Sequence, residues 1–128
     1  MSGSEVTLAL DYAQPQKPRC LEPLKELLRY PTISAEFEQR RPAFAACGSW
    51  LVDTLTAMGF QKAQQLPTGG PEVIYAEYCA LPGAPTLLIY GHYDVMPVDP
   101  LEMWTYPPFD PVVAGERLFG RGASDDKG

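Results

Sequence analysis

The one histidine of the chain, His92, stands two residues before Asp94 and directly after a continuous apolar run. If the backbone stays extended there, both side chains point to the same face. A carboxylate so placed can accept the N–H of one ring nitrogen and leave the other free to bind a metal ion, an arrangement common around zinc. The same pair also fits a hydrogen-bonded surface contact with no ligand. A second group closes the chain, Gly120-Arg121-Gly122-Ala123-Ser124-Asp125-Asp126-Lys127-Gly128. Two adjacent carboxylates among small residues could clasp a cation, and glycines let the backbone approach it closely. A solvated acidic loop is the competing reading. A phosphate cradle is excluded, because Asp125 and Asp126 would repel phosphate and the order G-x-x-x-x-G-K-[ST] is absent. The calcium-loop pattern is absent too.

These residues need elements to carry them. Residues 86–90, Thr-Leu-Leu-Ile-Tyr, form an apolar run that predicts a strand covered on both faces. His92 would then lie at the carboxyl end of a strand, where open α/β sheets gather their ligands. Residues 72–80 also read as a strand, Leu81-Pro82-Gly83-Ala84 as a turn, and Ala114-Gly115-Glu116-Arg117 as a short hairpin leading into the acidic loop. Upstream the period is helical. Leu21, Leu24, Leu27 and Leu28 share one face of a helix over residues 20–29, with Pro23 in its first turn and Pro31 excluding helix at Tyr30. A second helix is predicted over residues 40–58, its stripe formed by Phe44, Cys47, Leu51, Leu55 and Met58 and its end capped by Gly59. Residues 1–19 show no sustained period and read as a loose N-terminal arm before a domain spanning 20–128. Helices followed by strands and loops predict an α/β fold with helices packed on a mixed sheet.

Composition narrows the function classes. The chain has 45% hydrophobic and 20% charged residues, as in an ordinary globular protein. The formal net charge of −6 argues against nucleic acid or an anionic membrane as partner, since both demand clustered Lys and Arg. Cys20, Cys47 and Cys79 are widely spaced and form no C-x-x-C pair, so buried reduced thiols are expected at all three positions. No secretory signal pattern and no membrane-spanning apolar run is present, and a cytoplasmic location is the expectation.

Leu88-Ile89-Tyr90-Gly91-His92-Tyr93-Asp94-Val95-Met96-Pro97 resembles the first metal motif of the co-catalytic dizinc peptidases of family 20. That group includes carnosinases, bacterial dipeptidases, glutamate carboxypeptidases and aminoacylases. Trp104, Pro108-Phe109 and Gly115 fall where the family places a Trp, a Pro-Phe and a hairpin Gly, and the loop from Gly120 to Gly128 resembles its second metal motif. The interval from His92 to Asp125 agrees with the family pattern. Val98-Asp99-Pro100 and the doubled Asp look closest to the dipeptidase and carnosinase branch, with Met96 standing where that branch often has Gln.

The resemblance implies the N-terminal part of a phosphorylase/hydrolase-like zinc exopeptidase catalytic domain. It implies that His92 and Asp125 are metal ligands, Asp125 bridging two zinc ions, and that Asp94 serves catalysis by orienting His92. Manganese or cobalt are alternatives to zinc. It implies a cis peptide bond between Asp125 and Asp126. Trp104, Pro108 and Phe109 are expected to pack the long loop, and Arg121 to hold the metal loop through carbonyls or a carboxylate. The implied reaction is hydrolysis of the peptide bond of a dipeptide or small peptide by a water bridging both metals, with a glutamate as base.

The family takes that base from a Glu-Glu pair, and its remaining ligands include a second histidine; this sequence has neither. Poor metal affinity and no hydrolysis are therefore expected of these residues alone, and the strand over 86–90 is expected to lack its neighbours. Family members also dimerise through an inserted lid domain that is not within this sequence, so a homodimer is implied only for the longer protein. Two related alternatives are an N-acyl amino acid deacylase and a carboxypeptidase. A third, of another class, is a non-catalytic binding or scaffold module.

Overall fold

The computed structural model describes residues 3–128, apart from the side chains of residues 3–5 and 17. Its longest element is the helix predicted around Phe44 and Cys47. It runs Phe37–Ala57, begins three residues earlier than predicted, and buries Phe44, Cys47 and Gly48. We label the helices α1 (Gly3–Ala13), α2 (Lys17–Leu28) and α3 (Phe37–Ala57). Gly59, at φ 91°, ends α3: its N–H donates to the Thr56 carbonyl and the Phe60 N–H to the Leu55 carbonyl, each at 3.0 Å. That is the paired closure of a Schellman motif. Met58, predicted on the buried stripe, is 67% exposed. It is the cap residue, past the last turn that faces the core.

β1 (Gln61–Leu66) and β2 (Val73–Glu77) form an antiparallel pair, with Gln61 opposite Glu77 and Leu66 opposite Val73. The pair packs on α3 beside Gly48, where any Cβ would run into the Gln65 side chain. The polar sequence Gln-Lys-Ala-Gln-Gln-Leu hides β1 from a hydrophobicity reading, because one face of this hairpin lies in solvent. β3 (Val112–Ala114) and β4 (Arg117–Phe119) form the second pair, at the predicted hairpin. Gly115, at φ 61°, takes the first central position of its two-residue turn, where the primed hairpin turns need positive φ.

The N-terminal region departs from the loose arm expected over residues 1–19. Gly3–Ala13 is helical, a 3-10 turn spans Gln14–Gln16, and α2 already begins at Lys17. Val6, Leu8, Leu10 and Tyr12 are exposed. A helix that buries no face carries no amphipathic period, which explains why none was legible. Pro18 therefore occupies the first turn of α2, and Pro23, predicted there, lies inside the helix. Leu28 is fully buried at its end.

The largest departure is the run 86–90. It forms no strand, and Leu87, Leu88, Ile89 and Tyr90 are 81%, 88%, 79% and 85% exposed. A doubly covered strand needs neighbours on both edges and layers on both faces. Among the described residues none supplies them. The turn before it forms as predicted: Ala84 N–H donates to the Leu81 carbonyl at 3.2 Å and Gly83 has φ 78°.

The core lies elsewhere. Leu28, Ile33, Phe44, Cys47 and Val95 are its buried apolar members, with Thr32 fully buried among them. Ile33 and Val95 form a parallel bridge, in which Val95 N–H donates to Thr32 O at 2.8 Å and Ser34 N–H to Val95 O at 3.3 Å. The fold is thus α/β, with two antiparallel pairs and this one parallel link. Of the three thiols expected to be buried only Cys47 is, and burial pushes its pKa up to about 11; Cys20 and Cys79 are exposed. Among the described residues no helix is long and apolar enough to cross a membrane.

Candidate metal centre

Val95, anchored in the core, fixes the segment that carries His92 and Asp94. Thr32 adds a second tie, its hydroxyl donating to the Tyr93 carbonyl at 2.5 Å. The imidazole of His92 is oriented from one side. Its Nδ1 lies 3.1 Å from the Asp94 carbonyl and 3.2 Å from Asp94 Oδ1. Both are acceptors, so Nδ1 donates to Asp94; Nε2 faces a carboxylate in its turn, donates as well when the ring is protonated, and would offer its lone pair to a metal ion set between the two. The hydrogen bond to the Asp94 carbonyl, ahead of the charges of Asp94 and Asp125, holds the imidazole pKa above its ordinary value.

Nε2 faces the acidic loop, 3.1 Å from Asp125 Oδ1. Asp125 is 80% exposed, while His92 and Asp94 are each 38% exposed. The neighbouring carboxylate is turned the other way: Asp126 Oδ2 accepts the His92 backbone N–H at 3.1 Å. Gly91 gives it room, since a Cβ there would stand 3.3 Å from Asp126 Oδ2. The Asp125–Asp126 peptide is cis.

The loop is held by its own turns. Arg121 N–H donates to Pro108 O at 2.7 Å, Ala123 N–H to Gly120 O at 3.2 Å and Lys127 N–H to Gly122 O at 2.9 Å. Arg121 meets the expectation of a carbonyl contact: its Nη2 donates to Pro97 O at 2.9 Å, and its guanidinium stacks 4.8 Å above Trp104. Trp104 in turn donates from Nε1 to Val98 O at 2.8 Å. Pro108 and Phe109 are half-buried beneath the same loop.

Asp126, read from the sequence as one of two carboxylates that could clasp a cation, and Lys127, which sequence reasoning did not single out, both act as ties here. Asp126 ties the loop to the His92 backbone. Lys127, only 8% exposed, donates from Nζ to the carbonyls of Leu27 at 3.1 Å and Tyr30 at 2.8 Å. Burial pushes its ammonium down to about 8. A sequence motif cannot signal such a contact, because its partners are main-chain oxygens about a hundred positions away.

Two ligands of one tetrahedral zinc, each about 2.0–2.1 Å from it, lie about 3.3 Å apart. The 3.1 Å separation of His92 Nε2 and Asp125 Oδ1 matches such an edge, and imidazole plus carboxylate is a donor set zinc accepts. Among the described residues no group of three or more His, Cys, Asp and Glu could hold a metal ion. The residues present fit as part of a ligand set.

Residues 88–128 match the model of Peptidase family M20/M25/M40. That match takes in about a third of the chain and is what the chain shares with peptidase family M20. It is 31% identical to a Cys-Gly metallodipeptidase of Candida albicans over 132 aligned residues, which cover 92% of this chain and 27% of that protein. It is 42% identical to a succinyl-diaminopimelate desuccinylase of Xanthomonas euvesicatoria over 87 residues, 68% of this chain and 22% of the relative. The solved structure of the dipeptidase Dug1p from Saccharomyces cerevisiae superimposes with a TM-score of 0.78 at 26% identity, over 89% of this chain and 26% of that one. The chain therefore spans about a quarter of the length of the relatives it matches.

Proposed function

We propose that this chain contributes part of the metal centre of a metallopeptidase that hydrolyses the peptide bond of dipeptides or small peptides. The observation that carries the reading is the meeting of His92 Nε2 with Asp125 Oδ1 at 3.1 Å, with Nδ1 already engaged by Asp94. His92 and Asp125 would hold the metal, zinc by preference with manganese or cobalt as alternatives. Bound there, a pair of such ions supplies Lewis acidity that polarises an amide carbonyl and acidifies water.

The chain's own residues supply binding and orientation. His92 donates a nitrogen lone pair whose direction Asp94 fixes. Asp125 would offer an exposed carboxylate as the oxygen ligand. Asp126 and Arg121 hold the loop and the His92 segment at their working separation. The general base and the other ligands come from residues that this sequence does not contain, so the 128 residues alone bind metal weakly and do not hydrolyse peptides.

The Candida albicans relative, aligned over 92% of the chain, favours the dipeptidase reading. A second reading, removal of an acyl group from an amino acid, is favoured by the 42% identity to the desuccinylase. The two separate in one experiment. Full-length protein loaded with zinc or manganese is offered dipeptides and N-acyl amino acids in parallel. Turnover of dipeptides with little action on acyl amino acids supports the first reading, and the reverse preference selects the second. No turnover of either class by metal-loaded protein contradicts both.

A further inference from the structure

We propose that Lys127 is a positioning residue that holds the Asp125 carboxylate opposite His92 by capping the C-terminal end of α2. The inference rests on the metal-dependent reading above. Asp125 is 80% exposed, so little packs around its side chain and its place must be set by the backbone on either side. On the near side the loop turns through Gly122, at φ 90°. Beyond Asp125, the Asp126 carboxylate is tied to the His92 backbone and Lys127 to α2.

The end of α2 is suited to an ammonium. Leu27 O already accepts the Tyr30 N–H at 3.4 Å and Tyr30 O the Thr32 N–H at 2.9 Å, but each carbonyl keeps a second lone pair, and the C-terminal end of a helix favours a cation. Lys127 Nζ donates to two carbonyls there, those of Leu27 and Tyr30. Its methylenes run past Gly122, where a Cβ would stand 3.2 Å from Lys127 Cδ and 2.9 Å from Val95 Cγ1. Gly122 thereby lets Lys127 and Val95 converge, and Val95 follows Asp94 directly. The α2 end, Lys127, Gly122 and Val95 make one continuous frame, with the two metal-facing groups on either side.

The ammonium is stabilised where it lies by two carbonyls, the end of α2 and the nearby charge of Asp94, against the desolvation that burial imposes. No carboxylate contacts it directly among the described residues, and an apolar side chain of similar volume would avoid that desolvation but could not tie the loop to the α2 carbonyls.

The test is a cobalt titration of the full-length protein, read by visible d–d absorption, with wild type, Lys127→Met and Lys127→Gln. Folding is followed alongside by circular dichroism. Folded Lys127→Met is expected to bind cobalt about 10–100-fold more weakly, the scale for loss of a group that orients a ligand, with an altered absorption band. Lys127→Gln, which retains N–H donors, is expected to fall between that variant and wild type. Wild-type affinity and spectrum in folded Lys127→Met overturn the proposal. Should Lys127→Met not fold, wild-type affinity and spectrum in Lys127→Gln overturn it instead. Wild-type protein that binds no cobalt contradicts the metal-site reading itself and the positioning role with it, a result distinct from unaltered binding in the variants.

Discussion

Two neighbouring stretches of the chain, residues 86–90 and 91–95, behave in opposite ways. The first is the most apolar run of the C-terminal half, yet four of its side chains are about four-fifths exposed or more. The second is less apolar, yet it is bound to the core through Val95, to α2's following segment through Thr32, and to the acidic loop through His92. Hydrophobicity alone would predict the reverse. A strand covered on both faces needs partners and packed layers around it, whereas the metal-facing segment is fixed by short contacts that this chain supplies itself.

The comparison can be broken at several points. The largest effect is expected at Asp125. In the full-length protein Asp125→Ala removes the carboxylate facing His92 and should leave no measurable hydrolysis; retained turnover in a peptide assay would falsify its role as a ligand. Next comes Ile89→Lys. In the 128-residue chain, where Ile89 is 79% exposed, the change should alter unfolding free energy by less than about 0.5 kcal/mol in a urea titration. In the full-length protein, where we propose that strands cover this run, it should cost about 3 kcal/mol or more, the scale of an unpaired buried charge. Equal costs in the two would remove the contrast.

Asp94→Ala removes the carboxylate from Nδ1 and leaves the Asp94 carbonyl there, and should weaken metal binding about 10–100-fold by loosening and weakening the ligand, measured by competition with a chromophoric chelator. Gly122→Ala combines a φ of 90° with a Cβ only 2.9 Å from Val95 Cγ1, and should destabilise by about 1–2 kcal/mol or more in a denaturant titration. The smallest effect is expected at Lys62, whose ion pair with Glu77 lies on the exposed hairpin. Lys62→Ala should leave both Tm and metal affinity unchanged.

The legible parts of this fold are those with a local cause. α3 follows from the spacing of Phe44 and Cys47 and ends where Gly59 permits positive φ. The hairpin at Gly115 and the turn at Gly83 follow from glycine in the same way. His92, Asp94 and Asp125 were picked out by residue type, motif and the interval between them, and the structure brings all three together. What stayed hidden depended on distant partners or on their lack. α1 buries none of its described side chains and so writes no period, β1 is polar because one side of it meets solvent, and Lys127 finds acceptors in main-chain carbonyls that have no signature in the sequence.

The central claim is that His92 and Asp125 share one metal ion, and zinc-edge anomalous diffraction from zinc-loaded crystals of the full-length protein tests it most directly. The account predicts a zinc peak within about 2.0–2.2 Å of both His92 Nε2 and an Asp125 carboxylate oxygen. A zinc peak that touches only one of them, or neither, would contradict it.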